Sequence, residues 1–532
     1  MHRLSGLLPL FAALACAALI GAAPAPSTYV PQAQFCHRPA TTHGPVINGL
    51  CPTIPGNIGP DPLLDQKIAY NGIVGAHPAS PATDVQTPFD NLSWQTFVAL
   101  NWTRGKENRP AREGLNGKGE RVWQGFPRVS QVFGNSKVQA NCNVPPGYEV
   151  FSIASQGDGQ PATRNEEYIQ AATGDPAIDV NGNWTLYERR VNGIEIAYLK
   201  APDGKRNWNL TTLAGQFAFA ENNAAVNFPA AGGGRPNGAM EIKAAWRILD
   251  PARHVANQKR FYVIRAIIAV APDLVFRGAK RPAPICAPVD LGLVAMHIIQ
   301  KNPTTTNDLK PEWFWSTFEQ VDNAPLAADA CDPASPSTCG TLGKLACPAG
   351  PPLLGAPDYS YFNARYPNLP TNQPPQLLLG GKAFLWNPVQ PYAFSYLTPA
   401  GGGAKAGTQI ARCWKIYAMT EALNTQWRAE LRKVGSVFAN YMLVGTQWGA
   451  STTATPNRQI PTGGVPNFLS NSVVETYLQT LADPNNPFGN GSCISCHSAA
   501  TLLNNTTPAN LSFLPDLVNL LQVRRPALPP HP

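Results

Sequence analysis

The chain has 532 residues, a net charge of +8, and 44% hydrophobic residues together with 45 Gly and 54 Pro. The hydrophobic content is sufficient for a large core, and the high Gly and Pro content favours a globular protein with many loops. Because the positive charge is spread over the whole length without a dense Lys/Arg cluster, nucleic-acid binding is not indicated. The charge favours acidic partners only weakly.

The N-terminus has the three parts of a secretory signal. A basic segment at residues 1–3, an apolar run at 7–20 and small residues at 21–25 predict a signal peptide at 1–23. Cys16 follows Leu-Ala as in a lipoprotein, but the apolar run continues beyond it, so we favour cleavage over a lipid anchor. No later stretch reaches the ~18 apolar residues of a spanning helix. The mature chain is therefore predicted to be periplasmic or secreted, without a transmembrane segment.

A leader and then a mixed body follow the signal peptide. Residues 24–88 are rich in Pro and Gly and have little periodicity, which predicts an extended leader that wraps the core. The body is predicted to span residues 89–465. It begins with a helix at 91–102 that has an apolar stripe and Asn91 as its N-cap.

Strand patterns dominate residues 149–320. Asn192-Gly193 separates two alternating segments and predicts a β-hairpin of residues 184–191 and 194–198. Further strands are predicted at 240–249, 261–270, 291–299 and 313–319, the last as an antiparallel return.

The remaining elements are sparse. Residues 322–410 are predicted to be mainly loop, followed by a helix at 420–434 and a strand at 437–448. A helix at 469–481 begins the C-terminal segment, residues 466–532. Together the patterns predict an α+β fold with a mostly antiparallel sheet core, a few helices, many long loops and a helical C-terminal segment.

Near the end of the chain lies a short motif with specific chemistry. Cys493, Cys496 and His497 form the C-x-x-C-H spacing that is typical of covalent haem c attachment. Each thiol can add to one vinyl group of the same porphyrin, and the histidine can then serve as the proximal iron ligand. We expect one covalent haem c here.

A C-x-x-C pair has other uses, namely a redox dithiol, half of a zinc site or a disulfide. A thioredoxin-like motif should lie in a βαβ unit, whereas a polar loop precedes this one. A zinc site would need a second C-x-x-C pair, and the sequence has none. The disulfide alternative stays open.

The other cysteines fit an oxidising compartment. When Cys16 and the two motif cysteines are set aside, eight remain, an even number that allows up to four disulfides. We expect a Cys36–Cys51 pair and a second pair among Cys331, Cys339 and Cys347.

A sixth iron ligand would have to come from upstream of the motif, because no Met follows position 442 and the only later His lies in the terminal tail. The candidates are Met240, Met296, Met419, Met442, His254 and His297. Of these, His297 lies in an apolar strand, where an ionisable ring needs a partner. It is either a hydrogen-bonded core histidine or a distal iron ligand, and an open sixth position is the remaining alternative.

Several stretches resemble a bacterial family of large single-haem proteins labelled cytochrome c family proteins. They are LSWQTF at 92–97, EIKAAW at 241–246, HIIQK at 297–301, WSTFE at 315–319, and NSVVETY at 471–477 leading to the haem motif. The similarity covers residues from about 89 to 515. It implies haem c and periplasmic electron transfer, with Cys493, Cys496 and His497 as the site residues.

We therefore expect an exported c-type cytochrome that exchanges electrons with a redox partner protein. Because the body is larger than a carrier needs, one alternative is a haem-dependent oxidase, peroxidase or dehydrogenase subunit with a substrate cavity. His297, Glu319 and Asp322 would then form an acid/base cluster. A second alternative is a binding module in which haem has a structural role.

Overall fold

The three-dimensional structure is a computed structural model. It describes residues 31–36, 49–53, 86–106, 110–134, 142–153, 168–171, 175–232, 237–276, 283–303, 312–333, 352–353, 358–364, 371–375, 384–393, 409–449, 464–465, 469–479 and 491–518. The predicted signal peptide, Cys16, Cys339 and Cys347 lie outside these residues.

The largest element is a mixed sheet of eight strands in which antiparallel pairs dominate. Its strands are β1 (Glu149–Ile153), β2 (Leu186–Val191), β3 (Met240–Ile248), β4 (Val263–Val270), β5 (Ile285–Asn302), β6 (Glu312–Gln320), β10 (Tyr441–Gly449) and β11 (Gly464–Val465). A smaller sheet contains β7 (Leu326–Cys331), β8 (Pro352–Leu353) and β9 (Arg412–Trp414).

Strand β5 organises the large sheet because it is long enough to pair with three neighbours. Along one edge it pairs with β3, and along the other edge it pairs first with β4 and then with β6. Strand β2 extends the sheet beyond β3, and β10 extends it beyond β6. All of these pairs are antiparallel; β1 and β4 form a parallel pair.

Seven helices accompany the sheets in the described residues. They are α1 (Gln86–Leu100), α2 (Val129–Val132), α3 (Gly193–Lys200), α4 (Leu213–Ala220), α5 (His254–Arg260), α6 (Ala418–Lys433) and α7 (Cys493–His497). Short 3-10 turns lie at Gly114–Asn116, Val122–Gly125, Pro202–Gly204, Arg206–Trp208, Pro251–Arg253, Pro272–Leu274, Val437–Asn440 and Leu514–Leu517.

The two faces of β6 carry different partners because successive strand residues point to opposite sides of a sheet. On one face Ser316 Oγ lies 2.7 Å from Ser93 Oγ of α1, and Phe318 packs against Trp94 of α1. On the other face Trp315 contacts His497 of α7, and Thr317 Oγ1 accepts a hydrogen bond from Asn471. The helical layer and the C-terminal segment therefore cover opposite faces of the same sheet.

The structure confirms the predicted α+β class and most of the predicted regular elements. The four strands expected between 240 and 319 are β3 to β6, the helix at 420–434 is α6, and the strand at 437–448 is β10 after a 3-10 turn. The first body helix begins earlier than predicted, at Gln86. Asn91 lies inside it, where its Oδ1 accepts hydrogen bonds from Gln34 N and Trp427 Nε1.

The predicted β-hairpin at Asn192-Gly193 is wrong. Residues before it form β2, but residues after it form helix α3. The Asn192 side chain is the N-cap of that helix, because its Oδ1 accepts a hydrogen bond from Glu195 N at 3.0 Å. An asparagine that can cap a helix also favours a turn, so the dipeptide alone did not distinguish the two.

The predicted helix at 469–481 is also wrong over its described part, since residues 469–479 form turns. Polar groups of this segment form hydrogen bonds with strand β6 of the sheet. Asn471 Nδ2 donates to Thr317 Oγ1 and to Phe318 O, while Ser472 N and Oγ donate to the carboxylate of Glu319. Asn and Ser side chains that bond the sheet in this way compete with helical hydrogen bonding.

Disulfides join parts of the chain that are distant in sequence. The Cys36–Cys51 pair is confirmed, and Cys142–Cys286, which was not predicted, crosses 144 residues with an S–S distance of 2.02 Å. Cys331 and Cys413 are disulfide-bonded as well.

Among the described residues, no helix has the length and apolarity that crossing a membrane requires.

Candidate functional site

Helix α7 is held on the sheet by a single glutamine of β10. Gln447 Oε1 accepts a hydrogen bond from Ile494 N at 2.9 Å, and Gln447 Nε2 donates to Ser492 Oγ at 3.1 Å. Ser492 is the N-cap of α7, and Ile494 is buried beneath the helix. Because Ile494 points into the protein, the two cysteines and the histidine of this short helix are directed towards the cavity beside it.

The two motif cysteines are free thiols, whereas the other six described cysteines are disulfide-bonded. Burial, and then the nearby Glu475 carboxylate, raises the pKa of Cys496 to about 11. The same two causes raise the pKa of Cys493 well above its ordinary value. Both side chains are therefore protonated thiols at neutral pH in the folded chain.

His497 is oriented by one backbone carbonyl and two aromatic rings. Its Nδ1 lies 2.7 Å from Leu511 O, and since a carbonyl can only accept, Nδ1 carries the hydrogen. The ring lies edge-on to Trp315 at 5.5 Å and contacts Phe513 at 5.0 Å. Burial lowers the pKa of His497 to about 4. The imidazole is therefore neutral, with an unprotonated Nε2.

Cys493, Cys496 and His497 line one cavity of about 490 Å³. This volume lies within the range of small-molecule and cofactor sites. Its walls come from β2, β3, β5 and β6 of the sheet and from the C-terminal segment. The apolar part of the wall consists of Val129, Ile169, Ile242, Ile299, Leu469, Val474, Leu478 and Leu514.

A histidine–carboxylate pair lines the same cavity. His297 Nε2, on β5, lies 3.1 Å from Glu475 Oε1, and both residues border the cavity. The two atoms are at ion-pair distance, although the angle at Nε2 is not that of a formed hydrogen bond. Burial would raise the pKa of Glu475, but His297 and Lys243 together hold it below its ordinary value. The cavity thus contains an ionised carboxylate in contact with an imidazole.

Basic side chains form a row beside this pair. Arg189, Lys243 and His297 lie opposite one another on β2, β3 and β5, so they share one face of the sheet. All three line the cavity. Cationic groups at this position would favour the carboxylates of a bound cofactor.

A pair of buried acids lies beside the cavity. Burial, and then the neighbouring Glu241, raises the pKa of Glu195 well above its ordinary value. Burial also raises the pKa of Glu241, which lines the cavity. Glu241 Oε1 accepts a hydrogen bond from Ser512 Oγ at 2.6 Å, which ties the C-terminal segment to β3.

Of the six upstream residues considered as a sixth ligand, His297 is the one that lines this cavity. Met240 and Met296 belong to the core on the helical side of the sheet, and Met296 Sδ accepts a long contact from Asn101 Nδ2 at 3.8 Å. His254 lies on α5 with an exposed side chain, next to Asp290. Met419 and Met442 lie on α6 and β10, away from the described cavity wall.

The proposed acid/base cluster of His297, Glu319 and Asp322 does not form. Glu319 is buried against Arg412 and Ser472, and Asp322 pairs with Arg260. Neither acid lines the described cavity, and the carboxylate that contacts His297 is Glu475. Glu319 shares a face of the sheet with His297, but its carboxylate is bound by Arg412 and Ser472, and the turn at 469–479 brings Glu475 to His297 instead.

Three residues that shape the candidate site were not found from the sequence. Glu475 lies in a segment that was predicted to be a regular helix, Leu511 acts only through its backbone carbonyl, and Trp315 was assigned to a strand without a role. No local pattern indicates such roles, because each depends on a contact between distant segments. The resemblance at residues 315–319 and 471–477 was the one signal that pointed to these stretches.

The cavity residues fit a covalently attached haem on three grounds. The two free thiols stand on one helical turn with the following histidine, and that histidine already donates its Nδ1 hydrogen, as metal-binding histidines do. Trp315 Nε1, on the wall, is buried without a hydrogen-bond partner among the described residues. The walls combine apolar side chains with Arg189 and Lys243, which suits a ring with acidic substituents.

Within the described ranges, no group of three or more His, Cys, Asp and Glu side chains is arranged as a metal-ion site made of protein alone. Comparison of the chain with protein families, with curated proteins and with solved structures finds no match.

Proposed function

We propose that this protein is an exported c-type cytochrome that carries one covalent haem c in the cavity beneath α7 and transfers electrons. The observation that carries the proposal is that Cys493, Cys496, His497 and a second histidine, His297, line the same cavity. The C-x-x-C-H spacing and the free thiols support haem attachment at this position.

In this proposal the chain supplies attachment, orientation and electrostatics, and the bound haem supplies a one-electron redox centre. Cys493 and Cys496 hold the porphyrin through thioether bonds. His497 offers Nε2 to the iron because Leu511 O holds its Nδ1 hydrogen. Trp315 and Phe513 contact the His497 imidazole and keep it in place, and His297 would be available to hold the iron as a second nitrogen ligand.

The surroundings support export. We propose a periplasmic or secreted location, since the N-terminus has the features of a signal peptide and six described cysteines are in disulfides, which persist in oxidising compartments. The redox partner would be a separate protein, and the net charge of +8 slightly favours an acidic one.

The test is to export the protein in cells that possess haem-maturation machinery and to compare it with the Cys493→Ser, Cys496→Ser double variant. The wild type is expected to be coloured and to retain haem absorption after denaturation and acid extraction. The double variant should lose its haem to extraction. A Cys142→Ser, Cys286→Ser variant, which removes a disulfide instead, serves as the control and should keep covalent haem. Extractable or absent haem in the wild type would overturn the proposal.

A second candidate is a haem-dependent oxidoreductase, and the ionised Glu475 beside His297 favours it. A carboxylate–imidazole pair within a cofactor cavity can exchange protons with a small bound molecule. In that case the iron would keep an open position. Binding of carbon monoxide by the reduced protein would support this candidate, and a low-spin spectrum unaffected by carbon monoxide would support the electron carrier.

A further inference from the structure

Glu475 is fixed to the same pair of strands that carries His297. Its Oε2 accepts a hydrogen bond from Asn471 N at 3.0 Å, and the Asn471 side chain donates to Thr317 Oγ1 at 2.9 Å. Thr317 of β6 lies directly opposite His297 of β5. The contacts therefore form a closed ring, His297–Glu475–Asn471–Thr317, so the carboxylate cannot move independently of the imidazole.

The contact determines which imidazole nitrogen can bind a metal. A carboxylate only accepts hydrogen bonds, so the Nε2 that faces Glu475 must carry the hydrogen. In a neutral imidazole the other nitrogen, Nδ1, then has the free lone pair.

The two cavity histidines consequently differ in their partners. His497 donates Nδ1–H to the neutral carbonyl of Leu511 and presents Nε2, whereas His297 has a charged partner on Nε2 and presents Nδ1. A carboxylate partner raises the basicity of a metal-binding histidine more than a neutral carbonyl does, because it stabilises positive charge on the ring. A stronger donor favours the oxidised iron.

We propose that Glu475 is a positioning residue that fixes the tautomer and orientation of His297, so that His297 binds the haem iron through Nδ1 and lowers its reduction potential. This inference rests on the proposed function, since it requires haem in the cavity. The inference adds Glu475 as a residue that would act on the iron only through His297.

The test uses haem-loaded, full-length mature protein and measures two properties besides activity, the reduction potential and the low-spin ferric electron paramagnetic resonance spectrum. Glu475→Gln preserves the shape of the side chain and removes its charge. It is expected to keep the covalent haem, to raise the reduction potential and to shift the resonance. His297→Ala should lose the wild-type low-spin signal.

Glu430→Gln is the control, because Glu430 is a glutamate of α6 that does not line the cavity and pairs with Lys433. It should leave the resonance unchanged. If Glu475→Gln does not accumulate, Asn471→Ala removes the tie to Thr317 and should shift the resonance in the same direction.

The outcomes separate the two proposals. A Glu475→Gln protein with wild-type potential and resonance would overturn the positioning role, as would an unchanged low-spin signal in His297→Ala. Both results leave the cytochrome proposal intact. Wild-type protein without covalent haem would instead overturn the proposed function.

Discussion

The reactivity of single side chains in the motif is governed by where α7 docks. The thiolate is the nucleophilic form of cysteine, so a raised pKa suppresses reaction with electrophiles. Because Cys496 and Cys493 are half-buried beside the Glu475 carboxylate, both thiols hold their protons in the folded chain. Attachment of a cofactor to such thiols is favoured before the C-terminal segment closes on the sheet.

This arrangement predicts slow alkylation of the haem-free folded protein. A shift of the pKa of Cys496 from 9.0 to about 11 lowers its thiolate fraction at about pH 8 roughly a hundredfold. Iodoacetamide labelling followed by peptide mass analysis should therefore be slow for Cys496 and Cys493, and should accelerate as the pH rises towards 11. The same protein in denaturant is the control. Labelling of the folded protein at the denatured rate would contradict the buried placement.

At this scale the motif could be located from the sequence, whereas its surroundings could not. The spacing of Cys493, Cys496 and His497 is local and chemically specific, so it could be found in one line of sequence. Glu475 and Trp315 acquire their roles by meeting residues far away in the chain. A single glutamate in a polar turn has no local feature that distinguishes it.

Among the elements, β6 and β10 are the ones that position the site. Each presents one face to helix α1 or α6 and the other face to the C-terminal segment. Gln447 of β10 is buried and provides both a donor and an acceptor to the start of α7. Helix α7 is only five residues long and has few backbone hydrogen bonds of its own, so this docking contact helps to hold it in place.

Replacing this glutamine should loosen α7 specifically. Gln447→Leu leaves Ile494 N without its acceptor and removes one of the contacts of Ser492 Oγ, and a buried unsatisfied donor costs about 1–3 kcal/mol. We expect a lower free energy of unfolding and a lower yield of covalent haem. Denaturant titration and the ratio of haem absorption to protein measure the two effects.

Gln300→Leu is the control for this substitution. Gln300 is also buried, but its side chain donates to Thr96 of α1 on the opposite face of the sheet. It should destabilise the protein while leaving the yield of haem per folded protein unchanged. Equal haem yields in both variants would argue against a docking role for Gln447.

The elements differ in how far they could be predicted. Strands β3 to β6 are rich in apolar residues, and helix α6 has a buried apolar stripe that contains Leu423, Trp427 and Leu431, so both kinds of element could be recognised from the sequence. The turn at Asn192 and the segment 469–479 were predicted wrongly. In both places, Asn and Ser side chains form hydrogen bonds that decide the local structure, and these bonds depend on tertiary partners.

At the scale of the whole molecule, the C-terminal segment and the sheet are joined by buried polar contacts. Ser512 binds Glu241, and Asn510 Oδ1 accepts a hydrogen bond from the buried Lys301 Nζ at 2.6 Å. Glu195 lies at the same junction. The junction between this segment and the sheet therefore contains two acids, Glu195 and Glu241, whose pKa values burial raises.

This junction predicts a pH dependence of stability. The pKa of Glu195 is raised in the folded state above its ordinary 4.5, so its contribution to stability is complete below pH 4.5 and is lost as the pH rises through the folded-state pKa. The Glu195→Gln variant has no carboxyl group that titrates at this position, so it does not lose stability in this way as the pH rises. The difference in Tm, variant minus wild type, should grow from about pH 5 to about pH 8.

Glu113→Gln, at an exposed position, provides the comparison and should give a difference in Tm that does not change with pH. A Tm difference for Glu195→Gln that is constant over the same range, or that declines with pH, would show that Glu195 does not carry a raised pKa in the folded protein.

The central claim is that Cys493 and Cys496 bind one porphyrin covalently in the cavity they share with His497 and His297. The most direct measurement is the intact mass of the exported mature protein under denaturing conditions, followed by mass analysis of the peptide that contains the motif. We predict the mass of the mature polypeptide plus one haem, located on that peptide. A mass equal to the bare polypeptide, with both motif thiols unmodified, would contradict the account.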